Sequence, residues 1–241
     1  MAPQKAPDPF LAVTGCDYGL GGEVARAALK AGYRVFAGCL KPARAREMRA
    51  LERESKGLLS VFGIDLGSEA SVSRAAAWMG RRTRRLDVLV NNAGIYWTDG
   101  LDRVSFASLR KMHEVNAFGP LCLIRHLRPL LKASGRGRIV NVSSESGSME
   151  GVRRARPIYA YAASKASLNM FTRHLSHELA PEGIRIIAIH PGWMRTPMGK
   201  ASGDPTQEPS DTARDILRLA ARMNAAMNGG FFLHSGERCP W

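Results

Sequence analysis

The chain lacks the residues that build a disulfide scaffold, a metal centre or a membrane anchor. Its 241 residues include four cysteines, Cys16, Cys39, Cys122 and Cys239, far apart and without a CxxC pair. No His or Cys cluster has metal-ligand spacing, so a zinc ribbon is excluded and the cysteines read as reduced cytosolic thiols. His174 and His177 lie three apart in a predicted helix with no third ligand candidate near them, and no metal is expected. No apolar run approaches the length that crosses a bilayer, and the opening MAPQKAPDPF carries three prolines where a signal peptide would carry an apolar core. The expectation is a cytoplasmic protein with no membrane partner. Low-complexity linkers and repeats of solenoid length are also missing. With 45% hydrophobic residues, the chain is long enough to bury one large core, and a single domain over 1–241 is expected.

Acidic residues are scarce relative to basic ones: 21 against 35, for a net charge of +14. The excess gathers in RRTRR (81–85), GRGR (135–138) and RRAR (153–156). Such a balance suits nucleic acid or an anionic substrate. No zinc-finger spacing, helix-turn-helix signal or aromatic-interleaved basic strand accompanies it, so it reads as a solvated basic surface and a nucleic-acid partner is not expected.

What the chain does have is alternation. Short apolar runs, near Phe10–Val13, Tyr33–Gly38, Leu58–Asp65, Leu86–Asn91, Arg138–Val142, Arg185–Ile189 and Gly230–Leu233, read as strands. Between them, helical periodicity covers Gly21–Ala31, Pro42–Arg53, Ser68–Gly80, Phe106–Leu131, Tyr159–Leu179 and Asp211–Met223. This order predicts an α/β fold, a Rossmann-like doubly wound sheet of seven mainly parallel strands flanked by helices. Runs such as DVLVN and IRIIAI are almost continuously apolar, as strands covered on both faces must be. Ligands of such sheets bind beyond the carboxyl ends of the strands, and the informative residues sit there.

The first strand runs into LAVTGCDYGLGGEVARAALKAG, with glycines at 15, 19 and 21 in the turn. Glycine permits positive φ and close backbone approach, and a helix start offers free N–H groups to a phosphate. The spacing is G-x-x-x-G-x-G rather than the G-x-G-x-x-G of the dinucleotide fingerprint, so on its own it is as consistent with a tight turn. TGCDYGLG is followed in order by NNAG (91–94), VNAFGP (115–120), IVNVSSESG (139–147), YAASK (161–165) and HPGWMRTPMG (190–199). With these motifs the chain resembles the short-chain dehydrogenase/reductase family over nearly its whole length. Within it, the chain looks most like the small carbonyl-reductase-like branch, with its TGCNRGxG turn and PW-type tail, here GERCPW.

The YAASK segment puts Tyr161 and Lys165 four apart, hence on one helical face. A tyrosine titrating near 10 is a poor acid–base group at neutrality, and a nearby ammonium would favour its ionised form. Tyr159 has Ala163 at its own plus-four position and lacks that partner. The resemblance implies that Tyr161 exchanges the proton with a carbonyl or secondary alcohol and that Lys165 also binds the nicotinamide ribose. Ser144 would hydrogen-bond the substrate oxygen, with Ser143 as its rival. Asn116 would hold a water linking Lys165 to solvent. Each has an ordinary alternative; for Asn116 it is a buried asparagine. The resemblance also implies cofactor contacts at Gly15, Tyr18, Gly19, Leu20 and Gly21 of the turn, and at Lys41, Asp65 and Leu66. Asn92, Ala93 and Gly94, with Pro191, Gly192 and Thr196, complete the set.

The pattern departs from the family in places. At the end of the second strand, FAGCLKPARAR has neither the acid that takes the ribose of NAD nor, at Leu40, the arginine that NADP-using relatives often carry. Tyr18 replaces the arginine of the TGCNRG turn. Lys41 and Arg44 lie close with no carboxylate opposing them, so NADP is preferred over NAD. Asp65 would meet the adenine, or else cap the next helix. Ser144 and Tyr161 stand 17 positions apart, a long gap for the family. Arg153, Arg154 and Arg156 within it would recognise an anionic substrate or face solvent. After Thr196, PMGKASGDPTQEPSDTARD reads as a mobile lid over an open pocket. The function expected is an NAD(P)-dependent oxidoreductase of a small carbonyl or alcohol substrate, as a homodimer or homotetramer. The alternative is a dinucleotide-binding regulatory or scaffold protein.

Overall fold

The computed structural model describes residues 8–150, 157–201 and 205–241. Seven parallel strands form one sheet in the order β3-β2-β1-β4-β5-β6-β7. They are β1 (Phe10–Thr14), β2 (Arg34–Cys39), β3 (Leu59–Gly63), β4 (Val88–Asn91), β5 (Arg138–Val142), β6 (Arg185–His190) and β7 (Phe231–Leu233). Because strand side chains alternate in direction, consecutive residues feed opposite layers. Leu11, Val13, Val35, Ala37, Val88 and Val90 pack with α1 (Leu20–Lys30) and α8 (Pro209–Arg222) on one face. Ala12, Phe36, Leu89 and Ile139 pack on the other face against α3 (Glu69–Gly80) and α5 (Gly119–Ala133). The remaining helices are α2 (Arg46–Glu54), α4 (Phe106–His113), α6 (Tyr159–Leu179) and the short α7 (Pro197–Ala201).

The order of strands reverses between β1 and β4, where the chain goes out from the centre in one direction and returns in the other. That switch point opens a crevice at the carboxyl ends of the strands. The sheet has no bare edge at β7. The tail folds back along it, with Cys239 N–H donating to Phe231 O and Leu233 N–H to Glu237 O. Trp241 stacks on Phe231 and its carbonyl accepts from Met149 N–H.

Three regions differ from the sequence expectation, the first being the helix expected over Pro42–Arg53, which starts at Arg46 after a 3-10 turn at Pro42–Arg44. The single helix expected over Phe106–Leu131 is two helices joined by a π-turn at Glu114–Phe118, closed by Gly119 N–H donating to Glu114 O. Pro120 has no N–H, so the Asn116 carbonyl loses its i+4 partner and the ladder slips by one residue. Of the stretch read as a lid, Pro197–Ala201 is helix α7, held by Trp193 Nε1 donating to Gly199 O at 3.0 Å. On its far side, Arg195 N–H donates to Gln207 O. Trp193 and Met198 are each 37% exposed. Arg153, Arg154 and Arg156 lie outside the described residues.

Candidate active site

The catalytic candidates converge because three elements end together. Lys165 is buried on α6 and donates to the Val142 carbonyl, the last residue of β5, at 2.8 Å. Gly147 lets α6 come this close: a Cβ there would lie 2.6 Å from the Lys165 carbonyl carbon. One turn before it, Tyr161 is buried, and Lys165 Nζ sits 5.7 Å from its ring centroid. The start of α6 is fixed by buried Asp99, whose carboxylate accepts from Ala160 N–H, an anion at a positive helix end.

Burial pushes the Tyr161 phenol up to about 12; the Ser144 hydroxyl pulls it down and Tyr96 raises it again. Burial brings the Lys165 ammonium down to about 8. The acidifying effect expected of the Lys165 ammonium is not among the influences on the phenol; burial dominates, and the phenol keeps its proton at neutral pH. The two serines part company. Ser143 Oγ donates to Asn169 Oδ1 at 2.6 Å, and Asn169 in turn donates to Gly147 O, so Ser143 is committed to α6. Ser144 faces Tyr161. Tyr159 is half-exposed, away from this group.

Asn116 projects from the π-turn. Its Oδ1 accepts from Ile95 N–H at 2.8 Å, and its Nδ2 donates to Ile95 O and Ser164 Oγ, each at 3.0 Å. It thus stitches α6 to the segment leaving β4. A Cβ on Gly94 would stand 3.3 Å from Asn116 Oδ1 and 3.7 Å from Lys165 Nζ, so glycine leaves the space between them clear. Beneath this group runs a buried chain: Asn91 Nδ2 donates to Asn141 Oδ1, and Asn141 Nδ2 to Thr172 Oγ1.

The glycine turn lies across the crevice. Gly15 and Gly21 are required by the protein's own packing: Cβ atoms there would stand 2.8 Å from Ala93 Cα and 2.2 Å from Gly15 O. Asn92 locks the turn to β4, its Nδ2 donating to Thr14 O at 2.8 Å, while Thr14 Oγ1 accepts from Asn92 and Ala93 N–H. Gly19 is the N-cap of α1 at φ 68°, and no side chain caps this helix. The N–H groups of the first turn, ahead of Glu23 N–H donating to Gly19 O, are left for a phosphate. Gly19 faces Thr196, whose Cγ2 would be 3.2 Å from a Cβ there, so the turn and the segment after β6 close on one another. Gly192 has φ 81°, and a Cβ would collide with Gln207 Oε1. Thr212 holds this turn by donating to Pro191 O.

At the outer end the side chains are less committed. Tyr18 is 68% exposed and Leu40 57%. Asp65 Oδ1 accepts from Gly67 N–H, and Ser68, not Asp65, caps α3. Leu66 points into the core, with its carbonyl against Gly119. A groove of about 640 Å³ begins here, lined by Leu40, Ile64, Asp65 and Arg74 among others. The Lys41 side chain is exposed and forms no ion pair among the described residues, but a carboxylate that the sequence does not place there reaches its backbone. Asp17 Oδ2 accepts from Leu40 N–H at 2.8 Å and Oδ1 from Lys41 N–H at 3.0 Å. Asp17 sits 23 positions before Leu40, so only the folded turn reveals it. Tyr96 (edge-on to Tyr161 at 5.0 Å), Asp99, Gln207 and Thr212 were missed for the same reason.

Among the described residues no helix is long and apolar enough to cross a membrane. The profile for short chain dehydrogenases matches residues 10–207. C-signal of Myxococcus xanthus is 37% identical over 161 residues, 66% of this chain and 95% of that protein. The rhamnolipids biosynthesis 3-oxoacyl-(acyl-carrier-protein) reductase of Pseudomonas aeruginosa is 34% identical over 206 residues, 83% of this chain and 79% of that one. The NADPH-bound carbonyl reductase from chicken fatty liver superposes with a TM-score of 0.90 at 28% identity, covering 98% of this chain and 100% of that chain.

Proposed function

The chain belongs to the short-chain dehydrogenase family, and from that premise we propose that it is an NAD(P)-dependent oxidoreductase acting on a carbonyl or secondary alcohol. The observation that carries this reading is the convergence of Ser144, Tyr161 and Lys165 at the end of β5, across one crevice from an uncapped helix start. The residues fit a dinucleotide. The first turn of α1 presents free N–H groups, and Gly94 keeps clear the space beside Lys165 and Asn116. A bound nicotinamide would supply or accept the hydride.

The protein's part is orientation and proton handling. Tyr161, held protonated by burial, gives its proton to the substrate oxygen as the carbonyl is reduced, and takes it back in the oxidation direction. Ser144, whose hydroxyl draws the Tyr161 phenol down, steadies the charge developing on that oxygen. Lys165 binds the ribose hydroxyls, and Asn116 anchors a water through which the proton is replaced. Pro191, Gly192 and Thr196 position the nicotinamide, and Asp65 the adenine. Exposed Phe106, Phe118 and Met170 lie on or between the helices through which a homodimer or homotetramer would form; mass in solution tests this.

The functional test is a titration with NADH and with NADPH, followed by a carbonyl screen with Tyr161→Phe as the inactive control. Binding of either dinucleotide with Tyr161-dependent turnover is expected. If neither binds, the oxidoreductase reading fails and a regulatory or scaffold role takes its place.

A further inference from the structure

No acid stands at the end of the second strand, but the folded glycine turn brings a carboxylate to it. We propose that Asp17 is a cofactor-specificity residue that makes this protein prefer NAD(H) over NADP(H), an inference that rests on the dinucleotide site proposed above. In open α/β sheets the ribose 2′ position of the adenosine lies at the end of the second strand, where an acid accepts the hydroxyl of NAD or a cation takes the phosphate of NADP. In this chain no acid projects from that strand end. A carboxylate is delivered to it from the glycine turn instead.

Three features of the geometry act in the same direction. Asp17 occupies both backbone donors that follow the strand, Leu40 N–H at 2.8 Å and Lys41 N–H at 3.0 Å, so neither is left for a phosphate. A carboxylate has about four acceptor positions, so two N–H bonds leave it capacity for a ribose hydroxyl. Its negative charge then stands where the 2′-phosphate of NADP would arrive. That field is felt locally: after burial, Asp17 is the largest influence pushing the Cys39 thiol up to about 12.

The side chains that could offset this charge are not arranged to do so. Tyr18 and Leu40, which flank Asp17 and the strand end, are exposed and carry no positive charge. Lys41 and Arg44 are the cations near this loop; both side chains are exposed, and Lys41 contributes its backbone to Asp17. Free in solvent, they screen weakly and do not form a fork around a phosphate.

The test compares NADH and NADPH affinity, by nicotinamide fluorescence, in the wild-type protein, Asp17→Asn and Leu40→Arg. The wild type is expected to bind NADH at least about tenfold tighter, a difference of about 1.4 kcal/mol. Asp17→Asn keeps an oxygen for one N–H but removes the charge, and should move the NADH-to-NADPH ratio at least about tenfold toward NADPH. Leu40→Arg adds the missing cation and should strengthen NADPH alone. A wild type that prefers NADPH, or an Asp17→Asn ratio unchanged within about twofold, overturns the proposal and leaves the oxidoreductase reading standing. Binding of neither dinucleotide to the wild type removes both. The wild-type ratio requires no variant, and Leu40→Arg replaces an exposed side chain, so a folding defect in Asp17→Asn leaves the question decidable.

Discussion

The two ends of the proposed cofactor cleft are built differently. At the inner end buried polar side chains are held by the protein itself: Lys165 on Val142 O, Asn116 on Ile95 and Ser164, Ser143 on Asn169. At the outer end Tyr18 and Leu40 stand in solvent, and the carboxylates of Asp17 and Asp65 bond only backbone N–H groups of nearby turns. Packing constrains the inner residues as tightly as chemistry does, so a change there disturbs the fold as well. The outer residues Tyr18 and Leu40 are mostly exposed, and would exchange one cofactor preference for another at small structural cost. That is why the family motifs survive intact inside while the turn reads DY where its branch reads NR.

The comparison can be broken at its strongest point by Tyr161→Phe. Removing the one hydroxyl should cost about 10²- to 10⁴-fold in turnover, while dinucleotide affinity and melting temperature stay close to wild type. A large loss of stability instead would mean that the phenol is a packing group. Next in size is Asn141→Ala. It leaves Asn91 and Thr172 facing each other across a gap in the buried chain, and should destabilise the protein by about 2 to 4 kcal/mol in a denaturant titration. If its cost matches that of an exposed substitution, the inner end is less constrained than its hydrogen bonds indicate.

A pH profile of stability, measured on the ligand-free protein, sharpens the contrast further. Lys165 titrates at about 8 in the fold but near 10.4 when unfolded, so between these values the unfolded state holds more protons and stability rises with pH. Tyr161 titrates at about 12 in the fold against about 10 unfolded, so above pH 10 the sign reverses and stability falls. Lys165→Met should flatten the rise and leave the fall; a rise of unchanged slope would assign it to another group. The smallest effect is expected from Tyr159→Phe. Its ring is 51% exposed, and both turnover and stability should stay within about twofold of wild type. An effect comparable to that of Tyr161→Phe would make Tyr159 the proton donor instead.

All seven strands were legible because both faces of the sheet are covered, which makes each an apolar run ended by a polar or glycine residue. The Tyr161–Lys165 pair was legible because helical spacing is local. What escaped is what long-range contact decides. Asp99 joins α6 from 61 positions away, and Asp17 meets Leu40 from 23 away. No window on the sequence spans such pairs. Motif position already favoured Ser144 over Ser143; what it could not show is that Ser143 is tied to Asn169 on α6, or that Trp193 holds α7. The π-turn was written in GP at 119–120, but a proline at a helix start and a proline that shifts a ladder look the same in one dimension.

That π-turn also works as a phase joint. One additional residue turns the helix by about 100°, so the faces of α4 and α5 are indexed separately. Met112 on α4 points to the cluster around Tyr161, while Leu123, Ile124, Leu127 and Leu131 on α5 point beneath the sheet. A continuous α-helix through the same residues would satisfy one of these faces and rotate the other out of register. Residues of 114–118 other than Asn116 should therefore accept conservative substitution far more readily than a one-residue deletion. In this stretch the count of residues, more than their identity, determines whether Asn116 reaches the site at all.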